Sequence, residues 1–68
     1  MVEVGQIWKG YDSPWSTFYA EVLEIEKSSG ETVVGFTTRN DVQFLEEFLF
    51  VDSFKLIGAL VNGRFSWL

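Results

Sequence analysis

The side chains able to do chemistry in this sequence are carboxylates, hydroxyls and a few cations, since its 68 residues include no histidine and no cysteine. Catalytic systems of the Ser-His-Asp and Cys-His types are therefore impossible, and so are zinc sites built on those ligands. The glycines, such as Gly5 and Gly10, lack the neighbours of a phosphate-binding loop. The sequence predicts a protein that is not an enzyme, with no catalytic residue, no cofactor and no metal site.

Paired carboxylates are the remaining candidates for acid–base chemistry. Glu24 and Glu26 fall on one side of a predicted strand, and Glu46 and Glu47 are adjacent. A glycosidase needs two carboxyls about 5–10 Å apart across a cleft, and a domain of this length has little room for a cleft. No aspartate lies in the loop pattern of an EF-hand calcium site. We expect these acidic side chains to be solvated surface groups.

The composition indicates a single small domain, residues 1–68, that is acidic and rich in aromatic side chains. Ten acidic residues against five basic ones give a formal net charge of -5. This balance argues against direct binding to nucleic acid or to an anionic membrane. In one interpretation the negative charge keeps in solution a chain that is 47% hydrophobic. In the other it contacts a basic partner. Residues 1–20 contain no apolar run of signal-peptide length, so we expect a cytoplasmic location.

The longest regular pattern, from Phe18 to Thr38, predicts two long β-strands joined by a tight turn at residues 28–31. In the first strand, residues 17–27, the apolar side chains change face near Val22 and Leu23, as in a strand that bends or bulges. Gly30 is expected to take the positive φ that closes the turn. The segments on either side pack on the apolar face of this hairpin.

Two shorter segments precede the hairpin. Residues 2–8 predict a short strand with a bulge or bend at Gly5, and residues 9–16, around Pro14, predict an irregular loop. The loop carries two large rings, Tyr11 and Trp15. In one interpretation these rings fold back and cap the end of a small barrel. In the other they form a half-exposed contact surface, because Tyr and Trp are favoured binding anchors.

Residues 41–54 carry a mixed pattern. Val42 and Phe44 alternate as in a strand, whereas Leu45, Phe48 and Leu49 are spaced as on a helix. We predict a short strand through Phe44 and then about one helical turn over residues 45–49. A full helix over residues 41–51 is the alternative.

The last segment carries the clearest local signal, Asn62-Gly63, which is typical of a type I′ hairpin turn. With a two-residue loop, Gly58 lies opposite Trp67, and directly opposed residues share a face. One face of this hairpin then consists of Leu56, Leu60, Phe65 and Trp67. We expect that face to be buried or to contact a partner, with Trp67 lying across Gly58. Altogether the pattern predicts an all-β or β-rich fold with one short helical turn: a small barrel or a strongly bent antiparallel sheet with a C-terminal hairpin.

The opening Val4-Gly5-Gln6-Ile7-Trp8, the bent hairpin and the Phe-rich block ending at Phe54-Lys55-Leu56-Ile57 form a pattern over residues 2–57. It resembles the small SH3-like or Tudor-like barrel proteins encoded by bacteriophages and prophages, in which a V-G-Q-x-W start precedes a long hairpin. The resemblance implies a non-enzymatic accessory or host-interaction protein, and it transfers no functional residue. The hairpin after Gly58 departs from the family pattern.

The first functional hypothesis is a protein-interaction module whose protein partner is unidentified. In SH3-like barrels an aromatic groove beside an acidic loop holds extended or Pro-rich peptides. Here Tyr11, Trp15 and Tyr19 would be the anchors. Asp12 and Glu21 would steer basic side chains of the partner.

Two alternatives stay open. One is an acidic inhibitor that imitates nucleic acid and blocks a DNA- or RNA-binding protein of the host, since charge steering speeds association. Its carboxylates would be those along one hairpin, such as Glu24 and Glu31. The other is a structural subunit that self-associates through exposed rings, with Phe65 and Trp67 as the contact.

Overall fold

The computed structural model describes residues 1–68 and consists of one antiparallel sheet and one short helix. The strands are β1 (Gln6–Gly10), β2 (Tyr19–Ser28), β3 (Glu31–Thr38), β4 (Asp41–Glu46), β5 (Phe54–Val61) and β6 (Arg64–Trp67), and helix α1 (Glu47–Ser53) connects β4 to β5. The order across the sheet is β4-β3-β2-β1-β5-β6, so β4 and β6 are free edges. The predicted β-rich fold is confirmed as a bent antiparallel sheet with a C-terminal hairpin, and the sheet does not close into a barrel.

A β-bulge in β2 explains the change of face in its apolar pattern. Leu23 is the extra residue, because Val22 and Glu24 pair with consecutive residues of β3. The bulge shifts the alternation by one position, so that Val22 and Ile25 both pack on the core side. The predicted change of face at this position is confirmed, and the bulge lets one strand bend around the core.

Tight turns close the two hairpins that the sequence predicted. Ser29-Gly30 has φ values of 50° and 81°, and Asn62-Gly63 has 53° and 78°. Positive φ at both central positions is the type I′ geometry, which matches the twist of the flanking strands. The positive φ expected at Gly30 and the turn expected at Asn62-Gly63 are both confirmed.

Strand β1 begins later than the sequence predicted. The expected strand over residues 2–8 is wrong in its first half, because Val4 and Gly5 form a turn and regular pairing starts at Gln6. The Gln6 side chain accepts a hydrogen bond from the Glu3 N–H at 2.8 Å, and Gly5 has a φ of 93°. This hydrogen bond and the positive φ of Gly5 bend the chain just before β1, which is the bend predicted at Gly5. Val2 still reaches the core.

The segment after β3 is a strand followed by a helix, in the predicted order. Strand β4 continues two residues beyond the expected end at Phe44, and α1 lies at Glu47–Ser53 instead of residues 45–49. The alternative of a full helix over residues 41–51 is wrong, because β4 pairs with β3 along its whole length. Leu45 packs against the core from β4, so it is not part of the helical stripe.

The C-terminal hairpin has the predicted register, with Gly58 opposite Trp67 and Leu60 opposite Phe65. Of the two outcomes expected for its aromatic face, burial within the chain does not occur, and contact with a partner stays a prediction. Phe65 leaves 41% of its surface exposed and Trp67 leaves 73%.

A second bulge, in β5, corrects the predicted position of Leu56. Ile57 is the extra residue, because Trp8 pairs with Leu56 whereas Ile7 pairs with Gly58. Leu56 consequently packs against the core. It does not share the exposed face of the hairpin, as the uninterrupted alternation had predicted, because the bulge changes the phase of the strand.

A cluster of aromatic rings fills the space between the sheet and α1. Phe50 of the helix stacks on Phe54 with ring centroids 4.6 Å apart, and Phe36 lies 5.0 Å from Phe50. Trp8 meets Phe50 edge-on at 5.1 Å. Each such pair contributes about 0.5–1.5 kcal/mol beyond the burial of its surface. These rings supply the core of a domain that has no disulfide to support it.

Candidate interaction surface

An apolar groove lies on the outer face of the sheet, next to the free edge strand β6. Its lining consists of Ile7, Tyr19, Ile57, Phe65 and Trp67, and its volume is about 290 Å³. Two of the rings are largely open to solvent, since 58% of Tyr19 and 73% of Trp67 are exposed. We call these five residues the aromatic groove. It contains no charged side chain.

The floor of the aromatic groove is set by strand alternation on β1 and β2. Trp8 and Ala20 pair across these strands and are buried, so the neighbouring residues of each strand point outward. This alternation brings Ile7 and Tyr19 to the outer face. The bulge in β5 brings Ile57 there as well. Residues far apart in the chain are thus assembled by three adjacent strands.

Strand β6 forms the wall of the groove, and its Phe65 ring can lie close to β5 because Gly58 has no side chain. A β-carbon on Gly58 would lie 2.8 Å from two ring carbons of Phe65. Phe65 in turn meets Trp67 edge-on, with centroids 4.8 Å apart. The sequence predicted that Trp67 lies across Gly58. The two residues do pair, but the ring nearest the glycine is that of Phe65.

Two lysines border the groove on one side. Lys9 and Lys55 lie opposite each other on β1 and β5. The Lys9 ammonium lies 5.5 Å from the ring centroid of Tyr19 and donates hydrogen bonds to the carbonyl oxygens of Gly10 and Ser16. The Lys55 ammonium lies 6.0 Å from the ring centroid of Tyr11. Such cation–π contacts orient the rings and leave positive charge beside an apolar surface.

The predicted anchor Trp15 is turned toward the core. It lies in the loop of residues 11–18, since β1 continues through Gly10 and β2 begins at Tyr19. The irregular segment predicted at residues 9–16 therefore lies two residues later in the chain, and the strand predicted from residue 17 begins at Tyr19. Its ring lies 5.7 Å from Phe36 and 5.6 Å from Phe54, and the side chain is partly buried. This is the position expected if the ring caps one end of the fold.

Tyr11 and Asp12 lie at the same end of the molecule, outside the aromatic groove. The Tyr11 hydroxyl donates a hydrogen bond to the Asp52 carbonyl, and its N–H donates to the Ser53 carbonyl at 3.0 Å. Just over half of the Tyr11 side chain, 53%, is exposed. The Asp12 carboxylate accepts the Ser13 N–H at 3.0 Å. The structure therefore does not bring Tyr11, Asp12 and Tyr19 into one groove.

Of the five predicted binding residues, Tyr19 lines the groove and Glu21 lies beside it, opposite Ile7 on β1. The two predicted self-association residues, Phe65 and Trp67, line the same groove. Sequence reasoning missed Ile7 and Ile57. The signal for Ile7 was present, because its phase differed from that of the buried residues of the first strand. Ile57 gave no local signal, because the bulge that exposes it depends on pairing with β1.

Other depressions on the surface are more polar. The largest, of about 560 Å³, lies where the N-terminal segment meets β2 and β3 and includes Glu3, Lys27 and Glu47. A third is lined mainly by polar residues around the β2–β3 turn and the start of α1. No group of three or more potential metal-ligating side chains is present. Of the three depressions, the aromatic groove is the one lined by hydrophobic residues alone.

Comparison with known proteins finds no matching family model, no matching curated protein and no matching solved structure. Helix α1 has seven residues, and nothing helical in the chain has both the length and the apolar character of a membrane span.

Proposed function

We propose that this protein is a small, acidic, non-enzymatic interaction module that binds another polypeptide at the aromatic groove. The observation that carries the proposal is an uncharged groove with two large, mostly exposed rings, Tyr19 and Trp67. Contiguous apolar surface of this kind, rimmed by polar residues, is typical of binding sites. Tyrosine and tryptophan are also the residues most enriched among the side chains that dominate binding energy.

The proposed mode of binding is the addition of an extended segment to β6. The Leu68 N–H donates to the Ile57 carbonyl at 3.1 Å. Since hydrogen-bonding direction alternates along a strand, the N–H and C=O groups of Phe65 and Trp67 point to the open edge. A partner strand would pair with these groups and place alternate side chains on the groove face of the sheet, beside Phe65 and Trp67.

An accessory or host-interaction role for a phage-encoded protein is part of this proposal, supported by the resemblance of residues 2–57 to phage SH3-like proteins. A cytoplasmic location belongs to it as well. The partner in this role is a protein, with no direct contact to nucleic acid or membrane.

The test is capture of a partner from a host-cell extract by the wild-type protein and two variants. Trp67→Ala removes a groove ring, and Phe48→Ala removes a ring of α1 that is 61% exposed and lies outside the groove. We expect Trp67→Ala to weaken binding at least about tenfold, as for a central interface anchor. Phe48→Ala should bind as the wild type does. Equal binding by all three proteins would contradict the proposal.

A second candidate, the inhibitor that imitates nucleic acid, is favoured by the placement of carboxylates on β2. Because the bulge puts both Val22 and Ile25 on the core side, Glu21 and Glu24 share the outer face. A row of negative charges would attract a basic nucleic-acid-binding surface. Binding to such a partner should weaken steeply with salt, whereas binding through the aromatic groove should change little.

A further inference from the structure

We propose that the strand bound by β6 is β6 of a second copy of this chain, in a dimer whose two-fold axis passes beside Ser66. The inference rests on the proposed function, since it uses the same groove and edge, and it identifies one partner as the protein itself. It follows from the hydrogen-bonding pattern of β6, the side chains this pattern brings together, and the difference between the two edges of the sheet.

The backbone of β6 is self-complementary in one register. Its outward-pointing groups belong to Phe65 and Trp67, as the Leu68 bond to β5 establishes. Antiparallel pairing centred on Ser66 places Phe65 opposite Trp67 of the second copy, and Trp67 opposite Phe65. Every outward N–H and C=O of the strand is then satisfied. Centring the pairing on Phe65 instead would place Trp67 opposite Gly63, which lies in the turn.

The side chains agree with this register. Phe65 and Trp67 lie on the groove face, so the pairing makes two aromatic cross-strand pairs that join the two grooves into one surface. Aromatic pairs are among the favourable cross-strand combinations. Arg64, the one charged residue of β6, falls opposite Leu68 and not opposite a second arginine. The small Ser66 side chains meet at the axis on the other face.

The two edges of the sheet differ in their suitability for self-pairing. Strand β4 has an acidic residue at each end, Asp41 and Glu46, and charges on an edge strand oppose pairing with a second copy. Strand β6 has no acidic residue and no proline, and all four of its residues are exposed. Pairing of β6 with itself is also closed by the two-fold axis, so it stops at a dimer. With only one short strand from each chain, the interface is at the weak, transient end of the range, below ~1,200 Å².

The test places a negative charge at position 66 in one variant and a positive charge there in another. In the proposed register the two copies of residue 66 form a close, non-hydrogen-bonded pair, with Cα atoms about 4.5 Å apart. Ser66→Asp and Ser66→Lys should each weaken dimerisation by up to about fivefold, because like charges then face each other. An equimolar mixture of the two variants should form a mixed dimer. Sedimentation equilibrium at high protein concentration measures all three cases.

The matched controls are Ser28→Asp and Ser28→Lys, at an exposed serine beside the β2–β3 turn. These variants should dimerise as the wild type does, alone or mixed. Ser66→Cys adds a further readout, because the chain contains no other cysteine. Its two sulfurs would be close enough for a disulfide, so mild oxidation should give covalent dimers much faster than it does for Ser28→Cys.

Each outcome has a distinct meaning. A wild-type protein that stays monomeric at about millimolar concentration overturns the dimer. If that monomer still captures a partner through Trp67, the proposed function survives. A dimer whose affinity does not change when residue 66 is charged overturns the two-fold register. Mixed-dimer formation restricted to the Ser66 pair supports it.

Discussion

The ring of Phe65 lies against Gly58 on the neighbouring strand and occupies the space where a β-carbon would be. Because a glycine is present there, β6 can place an aromatic ring directly on the backbone of β5, an arrangement that offsets the weakness of glycine in a strand. This contact fixes one wall of the aromatic groove. The same glycine lies opposite Ile7 of β1, so it is next to groove residues of both neighbouring strands.

Gly58→Ala should lower the free energy of unfolding by about 1–3 kcal/mol, the usual cost of overpacking. The new methyl group would collide with the Phe65 ring and with the Ser66 carbonyl oxygen. Gly63→Asn is the matched control, because its site is open and asparagine tolerates the φ of 78°. Urea unfolding of both variants measures the difference. Similar stability of the two would argue against close packing of Phe65 on β5.

Trp15→Ala should destabilise the fold by about 3 kcal/mol, the lower end of the range for aromatic-to-alanine changes in a core. Its ring packs on Phe36 and Phe54, so the change leaves a cavity at one end of the sheet. Tyr11→Ala, in the same loop, should cost much less, because that side chain is 53% exposed. Thermal unfolding separates the two. A Trp15→Ala protein as stable as the wild type, but unable to bind a partner, would instead make Trp15 a binding anchor.

Within α1, Phe50→Ala should lower the free energy of unfolding by about 3–5 kcal/mol. For a domain this small, that loss is enough to unfold much of the population. Phe50 is fully buried between Phe36 and Phe54. Phe48→Ala on the same helix should change stability by no more than about 0.5 kcal/mol, as for ordinary surface positions. Circular dichroism during urea titration provides the comparison. Equal losses would mean that the helix packs through a different face.

The three tryptophans should differ in their access to a neutral fluorescence quencher. Trp8 is 7% exposed and should be protected, Trp15 should be intermediate, and Trp67 at 73% should be readily quenched. Trp67→Phe should therefore remove most of the quenchable emission in dilute solution. Trp8→Phe should leave the intensity of the quenchable emission almost unchanged. Protection of Trp67 in dilute protein would show that the aromatic groove is already covered.

The parts of the fold that local chemistry specifies were predictable from the sequence. The Asn62-Gly63 dipeptide determines its own turn and, with it, the register of β5 and β6. The change of face in the apolar pattern at Val22-Leu23 indicated the bulge in β2. Both signals lie within a few residues of the structure that they specify.

The parts that depend on pairing between distant residues were not predictable. The bulge at Ile57 exists because β5 must match β1, and no residue near Ile57 marks it. For this reason Leu56 was placed on the wrong face, and the aromatic groove was divided between two hypotheses: Tyr19 in one, Phe65 and Trp67 in the other. The core position of Trp15 likewise depends on rings from β3 and β5.

The pairing of β1 with β5 joins segments from nearly opposite ends of the sequence. Strands β2, β3 and β4 are consecutive and connected by short turns, so they can associate early in folding. The β1–β5 ladder has to wait until a long loop closes, which makes its formation slow relative to local hairpins. The aromatic groove spans that ladder. It is therefore completed late in folding, and a chain in which β1 and β5 have not yet paired lacks the surface that we propose for binding.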